Sequence, residues 1–169
     1  MMTAWRAIVR DWPLFAALAA ALMLAIAHAF QSFGHLAPCE LCLKQRTVYW
    51  VALAVGVVGF ALARGLKRPP LMNLTCFLLG VAFLVGEGIA AYHAGVEWKW
   101  WPGPTSCTGV ATADPHAIAA LLGGAKVIGP ACDQAAWRML GLSMAGWNAL
   151  VSMGLASLSG IAALDKSRG

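Results

Sequence analysis

Four long apolar runs constrain this chain more than any other feature: they lie near Leu14–Phe30, Thr47–Ala63, Leu71–Ala91 and Met139–Leu164. Each is about 17 to 26 residues long, and about 20 apolar residues in helical form cross the hydrocarbon core of a bilayer. Only 11% of the 169 residues are charged and 60% are hydrophobic. A soluble domain carries roughly a quarter charged residues, so this chain is too sparsely charged to be coated for water. The expected fold is therefore an all-α integral membrane protein, a four-helix transmembrane bundle forming one domain over residues 1–169. Its spans fall at about 14–33, 43–63, 71–91 and 139–164.

A net charge of +5 would suit a nucleic-acid binder, but its placement argues for a membrane instead. Arg6 and Arg10 precede the first run, Arg64, Lys67 and Arg68 separate the second from the third, and Lys166 and Arg168 follow the fourth. Once Asp11 and Asp165 are subtracted, these regions hold the whole surplus. The positive-inside rule makes them cytoplasmic. Both termini and a short loop near 64–70 then lie inside, while a loop near 34–42 and a long second loop near 92–138 lie outside. A cleaved signal peptide is a second reading of the first run, because Arg6 and Arg10 precede an apolar stretch ending Ala27-His28-Ala29. Its removal would leave the same side of the membrane facing residue 39 onward.

Punctuation fits the bundle. Pro13 suits the first turn of span one, and Arg64-Gly65-Leu66-Lys67-Arg68-Pro69-Pro70 breaks helix two from helix three, making them antiparallel neighbours. Small residues such as Ala156 and Gly160 allow close helix packing. The outer loop carries Trp98, Trp100 and Trp101, which read as an interfacial aromatic belt or as a substrate contact. Pro115–Val127 is expected to form a short helix on the outer membrane surface. Asn73-Leu74-Thr75 matches a glycosylation sequon but sits at the inner start of span three, where it reads as a chance match.

Of the five cysteines, Cys39, Cys42, Cys107 and Cys132 fall on the outer side, where disulfides form and persist. Cys39-Glu40-Leu41-Cys42 follows Pro38 and leads into span two, so the pair is expected at a helix N-terminus, whose partial positive charge stabilises a thiolate. Cys39, Cys42 and Arg46 stand at i, i+3 and i+7 and share one helix face. A guanidinium one turn deeper than Cys42 favours a thiolate and can hydrogen-bond an anionic quinone intermediate; it can also snorkel to headgroups. A static disulfide is also open for the CxxC. Zinc is not expected, because Cys107 and Cys132 are far apart and His35 and His93 stand isolated, nor is a c-type haem, since Leu43 follows Cys42. Cys107 and Cys132 bracket a Gly- and Pro-rich loop, either as a staple or as a mobile redox pair. Cys76, within span three, reads as a buried thiol.

Glu87 is an acid inside an apolar run and so a candidate for proton transfer or for a place near a quinone. His93, just beyond that run, would donate to a quinone oxygen or mark the interface. His28 and His116 read as structural.

The run Pro38-Cys39-Glu40-Leu41-Cys42-Leu43-Lys44-Gln45-Arg46, the closing Tyr92-His93 and the Trp-Pro-x-Pro-x-x-Cys stretch ending in Cys107 resemble the bacterial disulfide bond formation protein B (DsbB) family across essentially the whole chain. The resemblance implies an inner-membrane enzyme, a thiol:quinone oxidoreductase, whose Cys107–Cys132 disulfide is attacked by a reduced periplasmic DsbA-like partner. Cys107 would form the mixed disulfide and Cys132 would exchange with Cys39–Cys42. Cys42, beside Arg46, would then pass electrons to ubiquinone or menaquinone, with His93 at the quinone. Passing electrons from a DsbA-like couple near about −120 mV to a thioredoxin-like couple near about −270 mV is uphill by roughly 7 kcal/mol, so a strong acceptor is required. The chain has no dinucleotide-binding glycine motif that would suggest a nicotinamide acceptor. Two other functions stay open: a paralogue serving a dedicated thiol partner, and a non-catalytic membrane protein braced by its disulfides.

Overall fold

The computed structural model describes residues 2–104 and 131–165. Cys107, His116, the stretch Pro115–Val127 and the basic end at Lys166 and Arg168 lie outside the described residues. The described part is mostly helical: α1 Met2–Arg10, α2 Trp12–Ser32, α3 Glu40–Gly65, α4 Pro69–Glu97, a small hairpin of β1 Arg138–Met139 and β2 Leu142–Ser143, and α5 Met144–Ala163. Among the described residues, α2, α3 and α4 are long and apolar enough to cross a membrane. Their outward faces carry Leu18, Leu22, Val57, Val58, Phe77, Leu84 and Val85, all exposed. So many large apolar side chains turned outward on three long helices mark a surface built for lipid.

Local sequence explains the helix ends. Pro13 lies in the first turn of α2, where its missing N–H costs nothing, and Pro69 and Pro70 open α4 in the same way. The link from α3 to α4 is only residues 66–68, so the two helices pack as antiparallel neighbours. α4 also lies along α5, and α2 lies along α3. Ala16, Ala20, Tyr49, Ala52, Cys76, Leu79, Phe83 and Ala156 form the buried core between them. Trp12 Nε1 donates to Ser159 Oγ at 2.8 Å, tying α2 to α5. At Gly59 an added Cβ would overlap the Thr75 side chain, so the glycine is what lets α3 and α4 come this close.

Two expected boundaries are displaced. α4 runs to Glu97, six residues past the expected end of its apolar run, because Tyr92, His93 and Glu97 continue the helix although they interrupt its apolar pattern. His93 therefore belongs to α4 rather than to the loop beyond it. The last helix begins at Met144 rather than 139, since residues 138–143 form a hairpin whose turn places both Leu140 (φ 52°) and Gly141 (φ 83°) in the left-handed region. That pair of positive φ angles is the geometry of a two-residue type I′ turn. Ser143 ends the hairpin and caps α5, its hydroxyl accepting from Gly146 N–H at 3.2 Å.

The two ends of the bundle differ in kind. At one end Asp11 pairs with Arg64, joining the start of α2 to the end of α3, and Arg10, Lys67 and Arg68 lie nearby in sequence. At the other end are the thiols.

Candidate functional site

Cys39 is the N-cap of α3, with extended backbone (φ −76°, ψ 172°), and its sulfur accepts the Cys42 N–H at 3.3 Å. A cysteine thus stands where serine or aspartate usually caps a helix, and a negatively charged sulfur is favoured there by the helix dipole. One turn on, Cys42 brings its sulfur to 2.7 Å from that of Cys39. The Cys42 thiol, donating to Cys39, is the main reason the Cys39 thiol is pulled down to about 4; His93 and the Cys42 N–H add to it, and burial opposes it. These contacts favour the thiolate of Cys39.

His93 projects from α4 into this pair. Its Nε2 lies 3.7 Å from Cys39 Sγ and 3.8 Å from Glu97 Oε1, one helical turn further along the same face. Its Nδ1 is hydrogen-bonded to the Gln45 side-chain amide at 2.9 Å. Behind Gln45 the bonds continue: Asn148 Nδ2 donates to Gln45 Oε1, and Tyr49 OH donates to Asn148 Oδ1 and lies 3.0 Å from Ser152 Oγ. Gln45, Tyr49, Asn148, Ser152 and His93 are all buried, so this network joins α3, α4 and α5 through polar groups that satisfy one another.

Cys132 is fully buried and packs with Cys39, Leu41 and Cys42. It is disulfide-bonded, and its backbone hydrogen-bonds His93. The second cysteine region is thus brought against the first. Lys99 pairs with Asp133 beside it, an ion pair that holds the Asp133 carboxyl below the usual carboxylate range and joins the segment after α4 to the residue following Cys132.

Cys39, Cys42, Gln45, Tyr49, His93 and Asn148 line a cavity of about 390 Å³ between α2, α3, α4 and α5. Met23, Leu24, Phe30, Trp137 and Val151 supply apolar and aromatic walls, with Phe30 and Trp137 in tilted contact at 5.3 Å. Cys39, Cys42, Arg46, His93 and Glu97 supply the polar wall. A mostly apolar cleft with a few convergent polar groups suits a flat, lipid-soluble ligand that offers hydrogen-bond acceptors. Arg46 reaches across to the end of α2, Nη2 donating to Ala27 O at 3.0 Å and Nη1 to Gln31 Oε1. Its cation therefore meets the negative end of a helix dipole at the rim of the cavity.

Sequence spacing put Cys39, Cys42 and Arg46 on one face, and all three line the cavity. Glu87 does not: six residues from His93 is about 120° round the helix, whereas Glu97 is four residues away and in line. The acid beside the thiols is Glu97. Sequence reasoning also passed over Gln45, Tyr49 and Asn148, although Gln45 and Tyr49 follow Cys42 at i+3 and i+7 and Asn148 is a lone amide in an apolar run. His93 is not isolated from the CxxC either, since its ring nitrogen and the two sulfurs lie within 4.8 Å of one another. The tryptophans fold back on α4: Trp101 Nε1 donates to Tyr92 O at 2.9 Å, its ring stacks on Tyr92, and it covers Gly95, where a Cβ would overlap it.

The model of the family described as Disulfide bond formation protein DsbB matches residues 9–162. The chain belongs to the DsbB family. It is 31% identical over 167 residues to the disulfide bond formation protein B of Dechloromonas aromatica, covering 95% of each chain. Its identity to the protein of the same description in Methylococcus capsulatus is 30%, over 82% of this chain and 84% of that one. For the one in Nitrosococcus oceani it is 31%, over 82% of each. No solved structure matches the chain. Membership of the DsbB family makes this a disulfide bond formation protein with a thiol oxidoreductase role, and its three lipid-suited helices make it multi-pass.

Proposed function

We propose that this DsbB-family protein oxidises a periplasmic DsbA-like thiol protein and delivers the electrons to a membrane quinone. The observation that carries the reading is the burial of Cys132 against Cys39 and Cys42 on the wall of an apolar cavity that Arg46 also lines. In this reading α5, 20 residues and about 30 Å long, is the fourth span of the inner-membrane bundle. The basic end with Arg64, Lys67 and Arg68 faces the cytoplasm with both termini, and the thiol end faces the periplasm.

Electron flow follows the packing. A thiolate of the partner attacks the disulfide formed by Cys107 and Cys132, and Cys107 takes up the mixed disulfide. The partner's second thiol resolves it, releasing the oxidised partner. Cys132, which packs beside Cys39, then attacks Cys39 of the Cys39–Cys42 disulfide and releases Cys42, and Cys107 attacks Cys132, releasing Cys39 and re-forming the Cys107–Cys132 bond. The two electrons finish on the dithiol Cys39/Cys42. A bound quinone supplies an acceptor of two electrons and two protons. Cys42 would face it from α3, Arg46 would hold a carbonyl oxygen by hydrogen bond and Phe30 and Trp137 would pack on the ring, while His93 Nε2, 3.7 Å from Cys39 Sγ, keeps that sulfur in line.

The test is quinone-dependent oxidation of a reduced DsbA-like protein by the wild type and by single Cys→Ser variants. Each of Cys39, Cys42, Cys107 and Cys132 is expected to be essential. Quinone reduction that persists with the same partner after Cys107→Ser overturns the electron path, and four cysteines inert to partner and quinone alike would reduce the disulfides to braces.

A further inference from the structure

We infer that Glu97 is the proton-holding residue of this site: it keeps a proton while Cys39 is a thiolate and releases it into the cavity when the Cys39–Cys42 disulfide forms. The inference rests on the quinone-linked reading for the proton's destination, but not for its storage on Glu97.

The placement of Glu97 is hard to explain otherwise. Its side chain is 5% exposed, its carboxyl is hydrogen-bonded by Ser143, and Oε2 has no hydrogen-bond partner among the described residues. A buried carboxyl with an oxygen left over costs stability unless that oxygen has work to do. Glu97 lines the same cavity as the two thiols, and His93 Nε2 stands between them, 3.7 Å from Cys39 Sγ and 3.8 Å from Glu97 Oε1. One ring nitrogen therefore faces both the proton's source and its store.

A relay through that nitrogen needs a ring able to hold its proton on either side. The bonded chain behind it permits this. With Gln45 Nε2 donating to Nδ1, the ring proton sits on Nε2. If both amides turn over, Nδ1–H donates to Gln45 Oε1, Gln45 Nε2 to Asn148 Oδ1, Asn148 Nδ2 to the Tyr49 oxygen and Tyr49 OH to Ser152, so the chain behind the ring is kept whole and only the ring's bond to the Cys132 backbone is given up. Nε2 is then free to accept.

The charges facing Glu97 make the step redox-dependent. They are His93 on its own helix, Cys39 at the cap of α3 with the Cys42 thiol one turn along, and Arg138 on β1, with the neutral Ser143 at the cap of α5. A thiolate at Cys39 and a carboxylate at Glu97 repel one another, so the reduced site keeps the proton. Oxidation removes the thiolate's charge, and Arg138 then favours the bare carboxylate. The step balances: Cys39 and Cys42 lose two electrons and form the S–S bond. The proton taken from Cys39 leaves by way of His93 and Glu97, the proton of Cys42 leaves directly into the cavity, and a quinone takes both electrons and both protons as quinol.

Redox-difference infrared spectroscopy on full-length, quinone-free protein in lipid nanodiscs tests the storage step. The dithiol form should show the C=O stretch of a protonated carboxyl, lost on disulfide formation and absent in Glu97→Gln. Stopped-flow mixing of the dithiol form with a short-chain ubiquinone tests the delivery. Glu97→Gln should slow quinol formation about 100-fold, the lower end of what general acid–base groups contribute. Glu97→Asp should recover part of that, and thiol exchange with the partner should keep its wild-type rate. A wild-type spectrum without the redox-linked carboxyl band, or quinol formation in Glu97→Gln at the wild-type rate, overturns the inference. A wild type with the band but no quinol formation overturns the quinone reading and leaves Glu97 as a redox-linked proton store.

Discussion

The basic end of the bundle and its thiol end both use ionisable side chains, but to opposite effect. At the basic end the Asp11–Arg64 pair is open to its surroundings, with half the Arg64 side chain exposed. At the thiol end Cys39, Gln45, His93, Glu97 and Asn148 are all buried, and each hydrogen bond replaces water that cannot reach it. Exposed pairs contribute little to stability because solvent and salt screen them. Buried ones fix geometry, and the loss of one partner leaves another stranded. The first end carries its charges in the open; the second holds reactive groups at set distances.

If the contrast is right, the largest effects come from the reacting atoms. Cys42→Ser should abolish quinol formation while Cys39 can still be trapped with Cys132, seen as a stable crosslink on non-reducing gels. Quinol formation at more than a hundredth of the wild-type rate would remove Cys42 from the electron path.

Next is the pH profile of Cys39. With the thiol held near 4, its alkylation by iodoacetamide in the reduced protein should stay level from about pH 8 to about pH 5, then fall about tenfold per unit below about pH 4. An ordinary thiol, near about 8.5, would lose nearly a thousandfold between pH 8 and pH 5. The sign follows from the depressed value: the thiolate is fully present above 4 and is lost only as pH falls through it. Mass-spectrometric mapping of the modified cysteine makes the measurement specific, and a midpoint near about 8.5 would place Cys39 outside the influence of Cys42 and His93.

Arg46→Met should come third, raising the quinone concentration for half-maximal rate by about ten- to a hundredfold, as expected for a lost charge-assisted hydrogen bond of about 1.5–3 kcal/mol. Mixed-disulfide formation with the partner should not change. An unaltered dependence on quinone would return Arg46 to a purely structural role, binding Ala27 O and Gln31 at the end of α2.

How far the sequence exposed these features depends on the distance over which each is encoded. The three long helices and the proline openings of α2 and α4 are local, and apolar runs with Pro13, Pro69 and Pro70 announce them. The face shared by Cys39, Cys42 and Arg46 is also local, since helical periodicity alone sets it. The hairpin at 138–143 has no local signal, because Leu140 adopts a left-handed conformation that leucine does not advertise. The end of α4 lies beyond its apolar run because polar residues that face a buried site look, in sequence, like an exit from the membrane. Glu97 stands at i+4 from His93, a spacing that points to the site only once His93 is placed there, while Asn148, 103 residues from Gln45, gains its meaning only from packing. Glu87 drew attention for its rarity within an apolar run, yet helix phase turns it away from the cavity.

Asn148 tests the buried side of the comparison directly. Asn148→Leu keeps the volume but leaves the Tyr49 hydroxyl and Gln45 Oε1 each short a partner. About 1–3 kcal/mol of stability should be lost, read as a lower melting temperature in one detergent at fixed protein concentration. The Cys39 alkylation midpoint should also rise as the His93 ring loses its support. A variant with wild-type melting and an unmoved midpoint would mean that the network behind Gln45 neither supports the bundle nor holds the ring.

The smallest effect belongs to the basic end. Asp11→Asn removes the partner of Arg64 in a pair whose Arg64 side chain is half exposed, and exposed pairs contribute about 0–1 kcal/mol. Arg64 keeps its second contact, its guanidinium lying 5.4 Å from the centre of the Phe60 ring. Melting should therefore shift little, and raising the salt concentration should narrow even that difference, since screening acts on the wild-type pair and has nothing to act on in the variant. Quinol formation should keep its wild-type rate, because nothing at this end touches the cavity. A stability loss as large as that of Asn148→Leu would show that the two ends are not energetically distinct, and would make the Asp11–Arg64 clasp between α2 and α3 a structural partner of the thiol site rather than its counterpoint.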